Sequence, residues 1–272
     1  GINWGLDFTG GTVVEAGFNQ AADLPAVRQA LAKAGFSDAV VQLFGTSRDV
    51  LIRIPLKTNV AQAQVGDNVL QALNQLSTEP VQLRRAEFVG PSVGEELKED
   101  GGLAMLVALI GILLYVTMRF EWRLSVGAVA SLAHDVILTL GLFSLLGLEF
   151  DLTVLAAILA LIGYSINDTI VVFDRIRESF RKLRDASVAE TINEAITSTL
   201  NRTVITSLTT VLVLLVLFYL GGALIHGFAT ALLFGIAVGT YSSIYVASAL
   251  AELLGLSRED MLSPPVATEG AD

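Results

Sequence analysis

The sequence predicts a polytopic α-helical membrane bundle joined to a mixed α+β domain, and three observations carry that prediction. Residues 101–256 are mostly long apolar runs, whereas residues 1–100 mix short apolar stretches with polar ones. The 272-residue chain is 53% hydrophobic and only 16% charged, with a mean hydropathy of +0.65. A soluble protein of this length needs more polar surface than that. Several apolar stretches in close succession approach the roughly 20 residues that cross a bilayer as a helix. That recurrence argues against a single large buried helical core.

In residues 1–98, Thr12–Phe18 reads as a strand. Leu24, Val27, Leu31 and Ala34 fall at helical spacing, with Asp23 placed to cap them. Ala39–Phe44 and Val50–Ile54 read as strands joined by a turn at 45–49. Val60–Leu76 reads as a helix with Val65, Val69, Leu70, Leu73 and Leu76 apolar, and Val81–Val89 as a last strand. The order β-α-β-β-α-β is that of a ferredoxin-like domain. The Gly10-Gly11 pair by itself marks no more than a turn.

The expected spans are residues 102–118, 124–146, 152–173, 203–220 and 228–254, within a membrane region of 99–256. Lys and Arg set their orientation. Arg119 and Arg123 follow the first span; Arg175, Arg177, Arg181, Lys182 and Arg184 follow the third. The alternate loops, 147–151 and 221–227, hold neither residue type. The basic loops are therefore expected in the cytoplasm, residues 1–98 outside it in the periplasm, and the tail 257–272 inside. An outer domain followed by five spans predicts a further helix ahead of Gly1, six in the whole protein. Within 174–200, Ile176, Phe180 and Leu183 share one face among basic residues, the pattern of a helix lying along lipid headgroups; an ordinary solvated loop is the other reading. Ser187 to Glu190 has capping-box spacing, opening a second helix.

Composition excludes several function classes. A net charge of −10 does not suit phosphate contacts, so no nucleic-acid partner is expected. With no cysteine there is no disulfide or thiol chemistry. Two histidines, His134 and His226, do not form a zinc spacing, and the chain has no Walker A pattern. No covalent catalysis, cofactor or metal is expected.

The chemistry-bearing residues are ionisable groups inside apolar spans, which cost about 2.5–3.5 kcal/mol to insert and so tend to be functional. Asp135 lies about 18 Å along the second span from Arg123, and Asp168 about 10 Å from Arg175 in the third, at roughly 1.5 Å per residue. Arg202 opens the fourth span. Helical spacing places Tyr164 and Ser165 on the Asp168 face, and Thr206 and Thr209 in a stripe with Arg202. The third and fourth spans are antiparallel neighbours, which sets Asp168 and Arg202 at comparable depth. Hydrocarbon favours a neutral carboxyl group, whereas a guanidinium nearby favours the charged form; that competition suits a proton relay. A static ion pair is the alternative for Asp168 and Arg202, as are structural hydrogen bonds for Asp135 with His134 and for Asn167. Gly227, Ala231, Gly235, Gly239, Ser243 and Ala247, at steps of four, form a ridge for close helix packing, against a partner in this chain or another.

Several motifs now carry a likeness. Asp7-Phe-Thr-Gly-Gly-Thr12, Phe120-Glu-Trp-Arg123, Ala133-His-Asp135, Gly163-Tyr-Ser-Ile-Asn-Asp-Thr-Ile-Val-Val172, Asp174-Arg-Ile-Arg-Glu178 and Ser242-Ser-Ile-Tyr-Val-Ala-Ser248 occur in this order. Together they resemble the SecF branch of the SecD/SecF family, within the RND superfamily, over essentially the whole chain. That resemblance implies an RND-type bundle paired with SecD in the bacterial inner membrane, among membrane lipids. It implies association with the SecYEG channel and YajC, and use of the proton motive force to promote late translocation of a preprotein gripped by the periplasmic domains. By motif it assigns Asp168 and Arg202 to the proton pathway, with a further carboxylate from SecD, and gives Asp135 a place in a family motif. Two other readings remain. A proton-coupled exporter of lipid or drug expects a second repeat in the same chain, which has one. A non-transporting scaffold of the translocon makes the buried charges structural.

Overall fold

The structure is a computed structural model that describes residues 1–44, 46–56, 64–77 and 79–261, apart from the side chains at 223, 224 and 260. The chain divides into two compact units, residues 1–104, 142–157 and 215–230 in the first and 105–141, 158–214 and 231–272 in the second.

The first unit opens with a two-residue strand β1 (Asn3–Trp4) and one helical turn α1 (Leu6–Thr9). There follow β2 (Gly11–Gly17), α2 (Leu24–Lys33), β3 (Val40–Phe44), β4 (Thr46–Pro55), α3 (Val65–Asn74) and β5 (Gln82–Val89). β2 to β5 form one antiparallel sheet in the order β3-β4-β2-β5, the ferredoxin-like arrangement. Alternation explains its core: Val14, Ala16, Val50, Ile52 and Ile54 point to one face and are buried, and Val27, Leu31, Val69 and Leu73 of α2 and α3 join them. Asp23 caps α2 as expected, accepting from the Ala26 amide at 3.3 Å. The turn expected at 45–49 is different: β4 starts at Thr46, so Ser47 to Asp49 are strand. Asp49 stands opposite Gly17 at the far end of β2. The expected helix start at Val60 lies outside the described residues.

Among the described residues, five helices are long and apolar enough to cross a membrane. They are α4 (Pro91–Arg119), α5 (Trp122–Leu146), α6 (Leu152–Lys182), α7 (Val188–Leu220) and α8 (Gly222–Tyr241) with its continuation. Between α5 and α6 lies a short strand, β6 (Glu149–Phe150), which pairs in parallel with β1. The composition did not signal this pairing. Trp4, Phe8 and Phe150 pack ring to ring at 5.4–5.8 Å. Asp7 Oδ2 accepts from the Leu152 amide at 3.0 Å, and Asp151 Oδ1 from the Val154 amide at 2.9 Å. Two carboxylates thus satisfy the free amides that open α6. Arg53 of β4 is ion-paired with Glu149.

The Gly-Gly pair has a physical reason beyond a turn. Gly10 has φ 73° and Gly11 φ 146°, and a Cβ on Gly11 would lie 2.4 Å from the Ile54 carbonyl oxygen. Only glycine enters β2 this close to β4.

In the second unit, α6 and α7 are longer than the spans that hydropathy marks. Residues 174–182 continue α6, and α7 runs unbroken from Val188. The amphipathic stretch is therefore no separate helix along the headgroups. Neither 174–182 nor 188–220 holds a glycine or proline to break it. Ile176 and Phe180 are buried in a core with Val172, Phe173, Ile192 and Ala247. The expected capping box forms: the Ser187 amide donates to Glu190 Oε2 at 2.8 Å and the Glu190 amide to Ser187 Oγ at 3.3 Å. α8 starts at Gly222, earlier than expected, and passes through a π-helical turn at Ser242–Val246 into α9 (Ala247–Leu253). A last short helix, α10, covers Arg258–Met261. α5 crosses α9 with Gly127 at the contact, where a Cβ would lie 2.6 Å from the Ala247 carbonyl oxygen.

Two glycine substitutions should therefore behave unlike a third. Gly11→Ala and Gly127→Ala should each cost about 1–3 kcal/mol, the first through backbone strain and the second through overpacking. Gly102→Ala, with nothing within 4 Å of its Cβ, should be neutral or stabilising. Thermal unfolding of the purified protein in detergent checks all three.

Candidate functional site

The polar residues of the spans converge in the second unit. Asp135 of α5 is 1% exposed. Its Oδ2 accepts a hydrogen bond from Ser165 Oγ of α6 at 2.8 Å, and its Oδ1 lies 3.1 Å from His134 Nδ1. α8 passes over this pair at Gly239, where a Cβ would lie 3.3 Å from Ser165 Oγ and 3.4 Å from Asp135 Oδ2. One step along α8, Thr240 Oγ1 and Ser207 Oγ of α7 are 2.7 Å apart, and the Tyr164 hydroxyl donates to Ser207 at 3.4 Å. Ser131 Oγ of α5 donates to Ser242 Oγ at 3.3 Å, where the π-helical turn begins. The small-residue ridge of α8 therefore faces α6 of the same chain: Gly235 lies against Leu161 and Gly239 against Ser165.

Asp168 is placed differently. It is buried at 5% exposure, and no donor reaches its Oδ2 among the described residues. Arg202 makes no ion pair with it within 4 Å among the described residues. Arg202 is on the exposed side of α7, while its neighbour Thr203 is buried with Oγ1 unpartnered. Thr206 is exposed and bonds back to the carbonyls of Arg202 and Thr203 at 3.1 and 2.9 Å.

Of the residues marked from sequence, the structure brings Asp135 and Ser165 into contact and makes no ion pair between Asp168 and Arg202 among the described residues. It does not gather Tyr164 and Ser165 around Asp168: one turns to α7, the other to α5. Ser131, Ser207, Thr240 and Ser242, and the π-helical turn, were not singled out as site residues. Hydroxyls inside an apolar run were the available signal, since a buried hydroxyl in a membrane needs a partner. π-helical turns frequently mark functional positions.

With this geometry in hand, three comparisons bear on the chain. The family model described as "Protein export membrane protein SecD/SecF, C-terminal" matches residues 68–257, and that of the SecD/SecF GG motif matches residues 1–22. The protein translocase subunit SecF of Vibrio alginolyticus is 58% identical over 271 residues, covering 100% of this chain and 86% of that protein. SecF of Pseudomonas aeruginosa is 50% identical over 273 residues, covering 100% and 88%. The crystal structure of SecDF, a translocon-associated membrane protein from Thermus thermophilus, superposes with a TM-score of 0.80 at 42% identity over 93% of this chain. This chain spans only 34% of the SecDF chain's length.

The Tyr164–Ser207–Thr240 chain predicts a modest stability effect. Ser207→Ala should cost about 0.6–1.7 kcal/mol, the range of interhelical hydrogen bonds in membranes, whereas Thr240→Ser should be nearly silent. Unfolding midpoints in detergent separate the two.

Proposed function

The chain belongs to the SecD/SecF family of protein export membrane proteins, and from that membership we propose a proton-driven role for its buried carboxyl group, Asp168. The chain is a multi-pass, SecF-like subunit of the SecD–SecF complex. In our reading it lies in the bacterial inner membrane, with residues 1–98 as a periplasmic domain and the C-terminus in the cytoplasm. It works with the SecYEG channel and YajC as an accessory to transport. The proton motive force, taken up by the complex, promotes late movement of preprotein across the membrane.

The observation that carries this reading is Asp168 itself: a carboxyl group buried in an apolar helix, whose Oδ2 lacks a donor among the described residues. A group held by a contact ion pair is locked in its charged form; one held loosely can gain and lose a proton as its surroundings change. Protonation weakens the pull of Arg202, and the helices repack. A proton shifts such an equilibrium only by its different affinity for the two states. A one-unit difference in pKa between them is worth about 1.4 kcal/mol. One charge crossing a 100 mV potential supplies about 2.3 kcal/mol. SecD supplies the remainder of the proton path, and Arg202 with Thr206 and Thr209 forms the stripe of α7 that SecD covers.

Asp168→Asn, which keeps the shape and removes the titration, should abolish stimulation of export by the proton gradient. Co-purification with SecD should be unchanged. Unimpaired proton flux in that variant, with SecD bound, would refute the assignment.

A further inference from the structure

The two buried aspartates differ in how far their neighbours satisfy them. Asp168 leaves one oxygen without a donor among the described residues, whereas both oxygens of Asp135 have partners. The partner on Oδ2 is Ser165, one turn before Asp168 on α6. We propose that Asp135 is a positioning residue, a fixed acceptor on α5 that holds Ser165 and so sets the rotation and depth at which α6 presents Asp168.

Three features support this. First, the bond joins two helices at a point where both groups are buried, at 1% exposure each. An oxygen there has no water to fall back on, so releasing Ser165 would strand both groups. Second, α8 closes over the pair with a glycine. Its ideal Cβ would come within 3.3 Å of Ser165 Oγ and 3.4 Å of Asp135 Oδ2, so α8 packs closely over the bond. Third, both ends are braced on their own helices: Thr139 Oγ1 donates to the Asp135 carbonyl at 2.8 Å and Thr169 Oγ1 to the Ser165 carbonyl at 3.1 Å. His134 is the titratable group facing Asp135, from its own helix; Ser165 of α6 and Gly239 of α8 bring no charge.

A positioning role has a signature that a proton carrier lacks. An asparagine at 135 offers Ser165 the same acceptor oxygen, and its amide can donate to His134 Nδ1, but it cannot carry a proton. Asp135→Asn should therefore keep proton-driven export within about twofold of the wild type. Asp135→Leu, which offers no acceptor, and Ser165→Ala should each lower it by up to about tenfold, the equilibrium weight of one intramolecular hydrogen bond. The double variant Asp135→Leu/Ser165→Ala should be no worse than the poorer single one, because both remove the same bond.

The inference rests on the reading of Asp168 as the proton-binding group. The experiment uses membrane vesicles containing the complete chain with SecD and measures preprotein export with and without a proton gradient. Co-purification with SecD is scored for every variant, and Asp168→Asn runs alongside. If Asp135→Asn assembles with SecD and loses the stimulation as completely as Asp168→Asn, the proposal is overturned. Additive losses in the double variant overturn it as well. Should Asp135→Leu fail to assemble, Asp135→Asn and Ser165→Ala still decide the matter. A silent Asp168→Asn beside a retained Asp135→Asn defeats only the reading of Asp168, and a silent Asp168→Asn beside a dead Asp135→Asn moves the proton site to Asp135.

Discussion

A polar atom inside a bilayer has to find its partner within the protein, because hydrocarbon offers none. In this chain that constraint decides how the helices of the second unit meet. The spans are apolar enough to be indifferent to one another in lipid. What makes their contacts specific is a set of hydroxyls and one carboxylate with few ways of being satisfied together. Asp135 needs Ser165, Ser207 needs Thr240, and Ser131 needs Ser242. Each pairing fixes a rotation as well as a distance. The glycines of α8 allow helices to come close enough for these short side chains to reach one another, and the π-helical turn falls where the pattern of steps of four would otherwise continue past Ser243.

The first unit obeys the same rule by other means. The opening residues of α6 present amides without intrahelical partners. Two acidic side chains take them, Asp151 from the preceding residue and Asp7 from far away in the chain. Asp7 is in the same short segment as Trp4 and Phe8, whose rings close on Phe150. The segment that leads into the central strand of the sheet is thus also the cap of a membrane helix. Gly10 and Gly11 let the chain turn between those two tasks without a side chain striking β4. The motif is a joint whose two faces are both occupied.

Much of this was legible beforehand, for identifiable reasons. Burial alternating along β2 and β4, with Asp23 ahead of α2, gave the ferredoxin-like sheet its order, since period and cap are local properties. Long apolar runs gave five spans. The lengths of α6 and α7 were misjudged because hydropathy ends where charge begins, whereas a helix ends only where a breaker or an unpaired end stops it. The site was legible as a set of residues but not as a set of pairs. Positions three apart on a helix lie roughly 60° from each other around its axis. That is close enough to count as one face, yet Ser165 reaches α5 while Asp168 Oδ2 has no donor among the described residues. Which neighbour a side chain finds depends on packing between helices, and no spacing within one helix contains that information. The pairing of β1 with β6 was hidden for the same reason, being a contact between segments separated by more than 140 residues.

The contrast between the two aspartates follows from geometry rather than from chemical type. Both are carboxyl groups in apolar helices, and insertion cost alone would rank them equal. Asp135 meets a hydroxyl and a histidine, with a glycine of α8 packed over them, so both its oxygens have partners within the chain. Asp168 has no ion pair with Arg202, and its Oδ2 has no donor, among the described residues. A fully bonded group resists change because every movement breaks something; a partly bonded one has states to move between. The proposed proton cycle needs both kinds side by side, a fixed point and a group free to respond. In that proposal, without the fixed point, protonation of Asp168 relaxes only its own side chain; with α6 pinned to α5 one turn away, the same event has to be answered by the helices around it.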